Sequence, residues 1–326
     1  MVRIATIGTN FVVDWFLKAG LKCKDFSYVG TYSRDFQKGE TFSKKHNGKL
    51  IFTNLNELAN SNEIDAVYIA SPNSLHYSQA KLMIEHGKHV LIEKTITSNL
   101  KELEDLVSLS KKHNVVIMEA MRNVFGPGFK AIQDSIPKIA PVRRVSFQYC
   151  QYSSRYDKFK SGIIENAFNK NFSNGSLTDI GVYCIHPLVK LFGLPEEIFS
   201  LAQILPKSID GQGTMIAKYS DMLAEVTYSK ITNSMLPSQI QGEKGAIIIN
   251  NIPEPREVEI IYNDSTKEKI DFALDEDDMI YEIQEWLSLI NEGTYNDRNI
   301  RYSLMALKVM DKIRNQQDIV FPADLK

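Results

Sequence analysis

Residues 2–13 read VRIATIGTNFVV, which is a short apolar run, a glycine and then the start of a helical pattern. Val2–Ile7 has the continuous apolar character of a strand that is buried on both faces. Amphipathic stretches then separate further strand candidates at Tyr28–Tyr32, Ala66–Ala70, Val90–Ile92 and Val115–Met118. Alternating strands and helices predict an α/β fold, with a doubly wound parallel sheet and helices on both sides.

Beyond Phe125-Gly126-Pro127-Gly128 the pattern changes to successive runs rich in Val, Ile, Tyr and Thr. Tight links such as Tyr219-Ser220-Asp221 suit antiparallel hairpins, and helical patterns return at Asp277–Ile290 and Tyr302–Arg314. We therefore predict two domains: residues 1–122 with the parallel sheet, and residues 123–326 as an α+β domain on one mostly antiparallel sheet. The strand candidates of the second domain are Val142–Tyr152, Ile198–Leu205, Thr214–Tyr219, Leu223–Ser229, Gln239–Gln241, Ala246–Ile249 and Val258–Tyr262.

Composition narrows the class of protein. The 326 residues suffice for two ordinary domains, and a net charge of -2 gives no basis for nucleic-acid binding. Cys23, Cys150 and Cys184 are far apart and lack metal-ligand spacing, which suggests reduced thiols and no bound metal. There is no signal-peptide pattern and no apolar run near the roughly 20 residues of a membrane span. We expect a cytoplasmic protein that binds neither nucleic acid nor a membrane.

The turn after the first strand carries part of a dinucleotide-binding fingerprint. The full fingerprint has glycine at its first, third and sixth positions, for a tight turn, close approach of the pyrophosphate and close helix packing. Only Gly8 matches, because Asn10 and Val13 occupy the other positions. Asn10 can adopt the left-handed conformation, whereas Val13 is expected to push the helix away from the strand. The pattern fits a Rossmann-type turn that binds a cofactor through Gly8, Thr9, Asn10 and Phe11, or an ordinary strand–helix turn.

The end of the second strand bears on the choice between NAD and NADP. NAD enzymes usually have an acidic residue there for the ribose 2′-hydroxyl, but this chain has Ser33 and Arg34. A hydroxyl and a planar guanidinium suit a 2′-phosphate. The sequence therefore favours NADP, with NAD still possible, and the alternative is that Arg34 is an ordinary surface residue.

Two longer motifs identify a family. Residues 70–76 read ASPNSLH and residues 87–94 read GKHVLIEK. With Glu119-Ala120, GSLTDIGVY at residues 175–183 and IVFP at residues 319–322, the whole chain resembles the glucose–fructose oxidoreductase/inositol dehydrogenase family of NAD(P)-dependent oxidoreductases. Within it the chain looks most like the dimeric dihydrodiol dehydrogenases. The resemblance implies a Rossmann-type cofactor domain, and a second domain that binds substrate and forms homodimers or homotetramers through its sheet.

The resemblance also implies residue roles. Lys94 would lie beside the nicotinamide and contact the reacting oxygen. Tyr183 would be the general acid/base, helped by the charge of Lys94 because a free phenol has a pKa of about 10. Asp179 would hold a substrate hydroxyl or position Tyr183. The further residues that it places at the cofactor are Ala70, Ser71, Pro72, Asn73, His76 and Glu93.

Some assignments stay open. His186 and Tyr156 are candidate substrate contacts, but a packed histidine and a plain surface loop explain them as well; helix packing is likewise an alternative for His76. The family usually has proline where this chain has Thr95, and the cost of a cis bond before a non-proline residue predicts a trans bond or a strained one.

The expected function is hydride transfer between NADP and a hydroxyl- or carbonyl-bearing carbon of a sugar, polyol, dihydrodiol or related small molecule. One alternative is an aldose- or inositol-type dehydrogenase that uses His186 for acid/base work. The other is a non-catalytic NADP-binding sensor, because fold alone does not determine function.

Overall fold

A computed structural model describes residues 1–293, 295 and 298–325. The chain forms two compact units. Residues 1–120 and 275–301 make the first, and residues 121–274 and 302–326 make the second. The boundary between residues 120 and 121 lies close to residues 125–128, where the pattern of the sequence changes.

The first unit alternates strands and helices. Several of its helices begin at a residue whose polar side chain caps the helix; for example, Asn99 Oδ1 accepts a hydrogen bond from Glu102 N at 2.9 Å. The elements are β1 (Val2–Ile7), α1 (Phe11–Gly20), β2 (Phe26–Tyr32), α2 (Phe36–Lys45), β3 (Leu50–Phe52), α3 (Leu55–Asn60), β4 (Ala66–Ile69), α4 (Asn73–Glu85), β5 (His89–Glu93), α5 (Leu100–His113), β6 (Ile117–Ala120) and, after the second unit's strands, α9 (Ile280–Asn291).

The sheet of the first unit has six parallel strands in the order β3-β2-β1-β4-β5-β6. The chain reverses direction across the sheet between β1 and β4. In doubly wound folds this switch point opens a crevice at the carboxyl ends of the strands, where ligands bind. The predicted Rossmann-type sheet is confirmed.

The second unit contains the remaining elements, and its last α-helix begins two residues before the boundary at Tyr302. Short 3₁₀ turns occur at Arg122–Val124, Asn166–Phe168, Lys170–Phe172 and Pro322–Leu325. The elements are α6 (Pro127–Ile139), β7 (Val142–Cys150), α7 (Tyr156–Lys160), a π-helical turn (Leu177–Gly181), α8 (Val182–Phe192), β8 (Glu197–Leu205), β9 (Ile209–Lys218), β10 (Leu223–Ser229), β11 (Ser238–Gly242), β12 (Gly245–Ile249), β13 (Val258–Tyr262), β14 (Lys267–Ile270) and α10 (Ile300–Gln316).

The second sheet has eight strands in the order β14-β13-β12-β11-β7-β10-β9-β8. All pairs are antiparallel except β7 with β10, which confirms a mostly antiparallel sheet. Side chains alternate between its faces. On the inner face Val145, Met215, Val226 and Ile240 are fully buried, so this face forms the core of the unit.

Two strands have no counterpart in the prediction. β3 is three residues long, too short for a periodic pattern to show. β14 reads KEKI, and the charged side chains hide it from an apolar search. Lysine on an edge strand is a common protection against pairing with another chain.

Residues 275–301 were predicted within the second domain, but they cluster with the first unit. α9 packs against α1, and Lys18 Nζ lies 2.7 Å from the Asp277 carboxylate. Trp286 on α9 is fully buried. An apolar helical pattern indicates that a helix is covered without indicating by which element, so the sequence did not reveal this placement.

Candidate active site

Gly8 shapes the turn between β1 and α1. Its φ of +123° is one that residues with side chains rarely adopt. A Cβ atom here would lie 3.0 Å from the Ala70 carbonyl oxygen, while Val13 is fully buried close by. The turn therefore needs glycine, and the missing side chain lets a ligand approach the backbone.

Asn10 stabilises the same turn in an unexpected way. Its backbone is extended, with φ −92° and ψ 176°. Its Oδ1 accepts hydrogen bonds from Val12 N (3.0 Å) and Val13 N (3.2 Å), and its Nδ2 donates to Ala70 O (3.2 Å). Asn10 does not use the left-handed conformation that asparagine can adopt, because it is the N-cap of α1 and a cap residue has an extended backbone.

The end of β2 presents a hydroxyl and a guanidinium. Ser33 is buried and accepts a hydrogen bond from Asp35 N at 3.3 Å, and Arg34 is exposed. The neighbouring carboxylate of Asp35 caps α2 by accepting a hydrogen bond from Lys38 N at 3.1 Å. The carboxylate is therefore engaged by a helix, and the remaining groups suit a phosphate.

His76 connects the turns that follow β4 and β5. The imidazole is fully buried, with Nδ1 3.0 Å from Thr95 O and Nε2 2.8 Å from Ser71 O. Burial lowers the pKa of this imidazole. Both ring nitrogens face backbone carbonyls, which favours the packing interpretation over a direct cofactor contact.

Lys94 follows β5, where several contacts hold the chain. The hydroxyl of Tyr68 donates a hydrogen bond to the Glu93 carboxylate, which also accepts one from Lys94 N at 3.3 Å. Lys94 is half-buried. The Lys94–Thr95 peptide bond is cis, so the trans alternative was wrong. That expectation considered the isolated peptide, without tertiary contacts such as that of Ile96 N with the buried Glu119 (3.0 Å).

The first unit thus fits a nicotinamide dinucleotide. The β1–α1 turn offers a glycine backbone and a helix N-terminus for the pyrophosphate, and the end of β2 offers groups for a 2′-phosphate. The predicted cofactor residues all lie at the carboxyl edge of the sheet, in the turns beyond it or in the first turn of the helix that follows: Gly8, Thr9, Asn10 and Phe11 after β1, Ser33 and Arg34 after β2, Ala70, Ser71, Pro72, Asn73 and His76 after β4, and Glu93 and Lys94 at the end of β5.

In the second unit, Asp179 lies in the π-helical turn that runs directly into α8, and Tyr183 follows on α8. π-Helical turns are often found at functional sites. The buried carboxylate of Asp210 accepts a hydrogen bond from Leu177 N at 2.6 Å, and a Cβ atom on Gly175 would collide with it. Burial raises the pKa of Asp210. The start of this turn is therefore held on β9.

Lys230 is a residue of this region that the sequence did not single out. Its Nζ lies 2.7 Å from Asp179 Oδ2 and 4.5 Å from the centre of the Phe168 ring, and it donates to Ala167 O. The residue is only 1% exposed. A lysine after a strand is normally solvated, and no motif surrounds this one, so its role could not be recognised from the sequence.

Tyr183 and His186 differ in their surroundings. The ring of Tyr183 is half-buried and packs edge-to-face on Tyr149, with centroids 5.7 Å apart. His186 is 3% exposed, and burial together with the charge of Lys190 lowers its pKa to about 3. A buried neutral histidine fits the packing interpretation better than acid/base work near neutral pH.

Tyr156 belongs to an aromatic cluster at α7. Its ring stacks on Phe168 at 5.8 Å, and Lys160 Nζ lies 5.1 Å from its centre. Since Phe168 also covers Lys230, the cluster connects the predicted substrate contact Tyr156 to the surroundings of Asp179.

Within residues 1–293, 295 and 298–325, no group of three or more His, Cys, Asp or Glu side chains is placed to hold a metal ion. No helix in that part of the chain has the length and apolar character needed to cross a membrane.

The chain is similar to several known proteins. The model of an oxidoreductase family with an NAD-binding Rossmann fold matches residues 2–121. The scyllo-inositol 2-dehydrogenase (NADP(+)) IolU of Bacillus subtilis is 45% identical over 99% of both chains. A trans-1,2-dihydrobenzene-1,2-diol dehydrogenase of Xenopus tropicalis is 28% identical over 74% of this chain and 72% of its own.

A crystal structure of KijD10, a 3-ketoreductase from Actinomadura kijaniata in complex with NADP and TDP-benzene, has the same fold. It superposes with a TM-score of 0.87 over 97% of this chain and 98% of its own, at 19% identity. This likeness supports the two-unit fold and, at that identity, the fold alone.

Proposed function

The chain belongs to the oxidoreductase family with an NAD-binding Rossmann fold, and on that basis we propose that it is an NADP-dependent dehydrogenase of a cyclic polyol. The observation that carries this is the position of Lys94. It stands at the carboxyl end of β5, on the edge where a doubly wound sheet binds its dinucleotide. The reaction is hydride transfer from a carbon that bears a hydroxyl group or, in the reverse direction, to the corresponding carbonyl carbon.

NADP is proposed over NAD because of the end of β2. Asp35, the nearest carboxylate in sequence, caps α2, while Ser33 and Arg34 offer a hydroxyl and a guanidinium. The name of the 45% identical relative specifies NADP(+). Comparing kcat/KM for the two cofactors tests the choice, and a preference for NAD contradicts it.

The residues have distinct proposed roles. The bound nicotinamide accepts or supplies the hydride. Tyr183 exchanges the proton of the reacting hydroxyl, Lys94 contacts the reacting oxygen, and Asp179 accepts a hydrogen bond from a substrate hydroxyl. A cation near a phenol stabilises its anion, which is the reason for pairing the functions of Lys94 and Tyr183.

A cyclic polyol is proposed because a relative that matches over 99% of both chains is named for scyllo-inositol. The experiment follows NADPH at 340 nm with scyllo-inositol, myo-inositol, trans-dihydrodiols, aldoses and dicarbonyls. We expect the highest kcat/KM with an inositol. NADPH binding without turnover of any compound would favour the sensor alternative.

Two variants test the roles of Lys94 and Tyr183. Lys94→Ala and Tyr183→Phe should each remove most turnover, by about 10²-fold or more, with NADPH affinity nearly unchanged. The matched controls are Lys130→Ala, which removes an exposed pair with Asp134, and Tyr77→Phe, which removes an exposed bond to Asp105. Unchanged turnover in both test variants would refute the assignment.

We further propose that the chain forms a homodimer through the outer face of the second sheet. Phe199, Leu201, Ile216 and Leu223 on this face are 67%, 83%, 52% and 54% exposed. The strand register places these four side chains close together on one face of β8, β9 and β10. Large exposed apolar patches usually mark interaction sites. Light scattering distinguishes the dimer from a tetramer and from a monomer.

A cytoplasmic location is also proposed. Cys23, Cys150 and Cys184 are all unpaired thiols, as is common in reducing compartments. Fractionation of the source cells, with the protein detected by antibody, tests this location.

A further inference from the structure

Lys230 is held by four segments of the second unit. Its backbone N donates to Gly211 O on β9, and its carbonyl accepts a hydrogen bond from Ser153 N, both at 2.9 Å. Its ammonium reaches the Asp179 carboxylate in the π-helical turn and the Ala167 carbonyl in the 3₁₀ turn Asn166–Phe168. The ammonium is therefore fixed in position by the folded chain.

This ammonium is also shielded from water. The side chain of Lys230 is 2% exposed, whereas that of Asp179 is 30% exposed, and the ring of Phe168 covers the charge at 4.5 Å. A buried charge without a partner is strongly unfavourable, and removal of one member of a buried pair leaves the other uncompensated. In this pair Lys230 is therefore shielded from solvent, whereas Asp179 is accessible to a ligand.

From this geometry we propose that Lys230 is a positioning residue for the reaction: it keeps Asp179 ionised and oriented toward the substrate hydroxyl. The inference rests on the proposed function, because Asp179 is the substrate contact there. If the salt bridge had only a structural role, removal of Lys230 would lower the stability of the protein without changing the pH dependence of turnover.

Other titratable groups surround the same turn, and each could contribute to a pH profile. On the elements packed against Leu177–Gly181 they are Asp210 on β9, Tyr228 on β10, Tyr149 and Cys150 on β7, and Tyr183, Cys184 and His186 on α8. Among them, Asp210 also has its pKa affected by the charge of Lys230. The contribution of Asp210 to the pH profile is therefore measured separately with Asp210→Asn.

The test compares two buried lysines. Lys230→Met removes the cation beside Asp179. The matched control Lys88→Met removes a buried lysine whose ammonium donates to the carbonyls of Ser61 (2.7 Å) and Ile64 (2.8 Å). For each variant, kcat and KM are measured from pH 5 to 10 with the best polyol, and the NADPH dissociation constant is measured separately.

We expect the acid limb of kcat/KM to move to a higher pH in Lys230→Met, by about one to three pH units, because an opposite charge at this range favours the carboxylate by that amount. At a pH below the limb, each pH unit of that movement lowers activity about tenfold. NADPH affinity stays within about twofold, and Lys230→Arg, which keeps the charge, retains the wild-type limb. Lys88→Met lowers stability without moving the limb.

An unmoved limb in a folded Lys230→Met enzyme overturns the proposal, and so does a limb that moves equally in Lys88→Met or that moves only in Asp210→Asn. If Lys230→Met does not fold, Lys230→Gln, which supplies a neutral amide donor in place of the ammonium, is put to the same test with the same two outcomes. Inactive wild-type enzyme would instead contradict the proposed function, so the two failures are distinguishable. In that case the pH dependence of thermal unfolding still tests whether Lys230 keeps Asp179 in its ionised form.

Discussion

Replacing Asn10 by glycine would restore the third position of the dinucleotide fingerprint, yet we expect the Asn10→Gly variant to be less stable. The change removes the side chain that caps α1 through Val12 N and Val13 N and that donates to Ala70 O. Replacing a cap by glycine costs a few tenths of a kcal/mol, the lost bond to Ala70 about 1 kcal/mol, and the added backbone freedom about 0.5 kcal/mol.

The expected loss in the free energy of unfolding is therefore about 2 kcal/mol, which corresponds to a fall in Tm of about 4–8 °C for a unit of this size. The two tryptophans of the chain, Trp15 and Trp286, both lie in the first unit. Urea unfolding followed by tryptophan fluorescence thus reports on the unit that carries the substitution.

The matched control is Asn47→Gly. Asn47 is exposed and has a left-handed backbone with φ 58°, a conformation that glycine adopts without strain. We expect its stability to stay within about 0.5 kcal/mol of wild type, because relief of strain offsets the added chain entropy. If Asn10→Gly is as stable as wild type or more so, the capping argument is wrong.

Three further outcomes are expected. Arg34→Asp should lower kcat/KM for NADP by about 10–100-fold through loss of a charged hydrogen bond, with a smaller change for NAD; equal losses would contradict a 2′-phosphate contact. The pKa of His186 is lowered to about 3, below about 6.5 in the unfolded chain, so between these values the unfolded state binds more protons. Stability should fall as the pH is lowered through this window, by up to about 1.4 kcal/mol per pH unit, and circular dichroism should show a smaller slope for His186→Gln. Leu201→Glu should convert the dimer to a monomer in light scattering while leaving the far-UV spectrum intact, and a persistent dimer would place the interface elsewhere.

The architecture of both units was predictable because it rests on repetition. Apolar runs such as Val2–Ile7 and Val258–Tyr262 recur with the spacing that each kind of sheet requires, and the structure has strands with these bounds. The family was predictable from two motifs read together, and the 45% identical relative confirms it. Short or charged strands such as β3 and β14 lack that periodic signal.

The candidate site was predictable only where a motif marks it. Lys94, Asp179 and Tyr183 lie in recognisable stretches, and their roles stay predictions. Lys230 and Asp210 act through contacts between residues far apart in sequence, at separations of 51 and 33 positions from Asp179 and Leu177, respectively. A sequence shows that such residues are charged but not that they are buried or which group they face.

Asn10 illustrates a different limit. Asparagine suits both a left-handed turn and a helix cap, so the residue type alone left its conformation open. One of its side-chain contacts, the hydrogen bond to Ala70 O, depends on where β4 ends.

The inclusion of residues 275–301 in the first unit has a consequence for how the protein is made. The chain leaves the first unit after Ala120 and returns to it only at Asp275. Until α9 has been synthesised, the surface of α1 that it covers stays exposed, and the buried side chain of Trp286 is missing from the unit. The amino-terminal unit therefore completes its core almost last during translation, and a fragment cut at residue 120 lacks part of the fold that it begins.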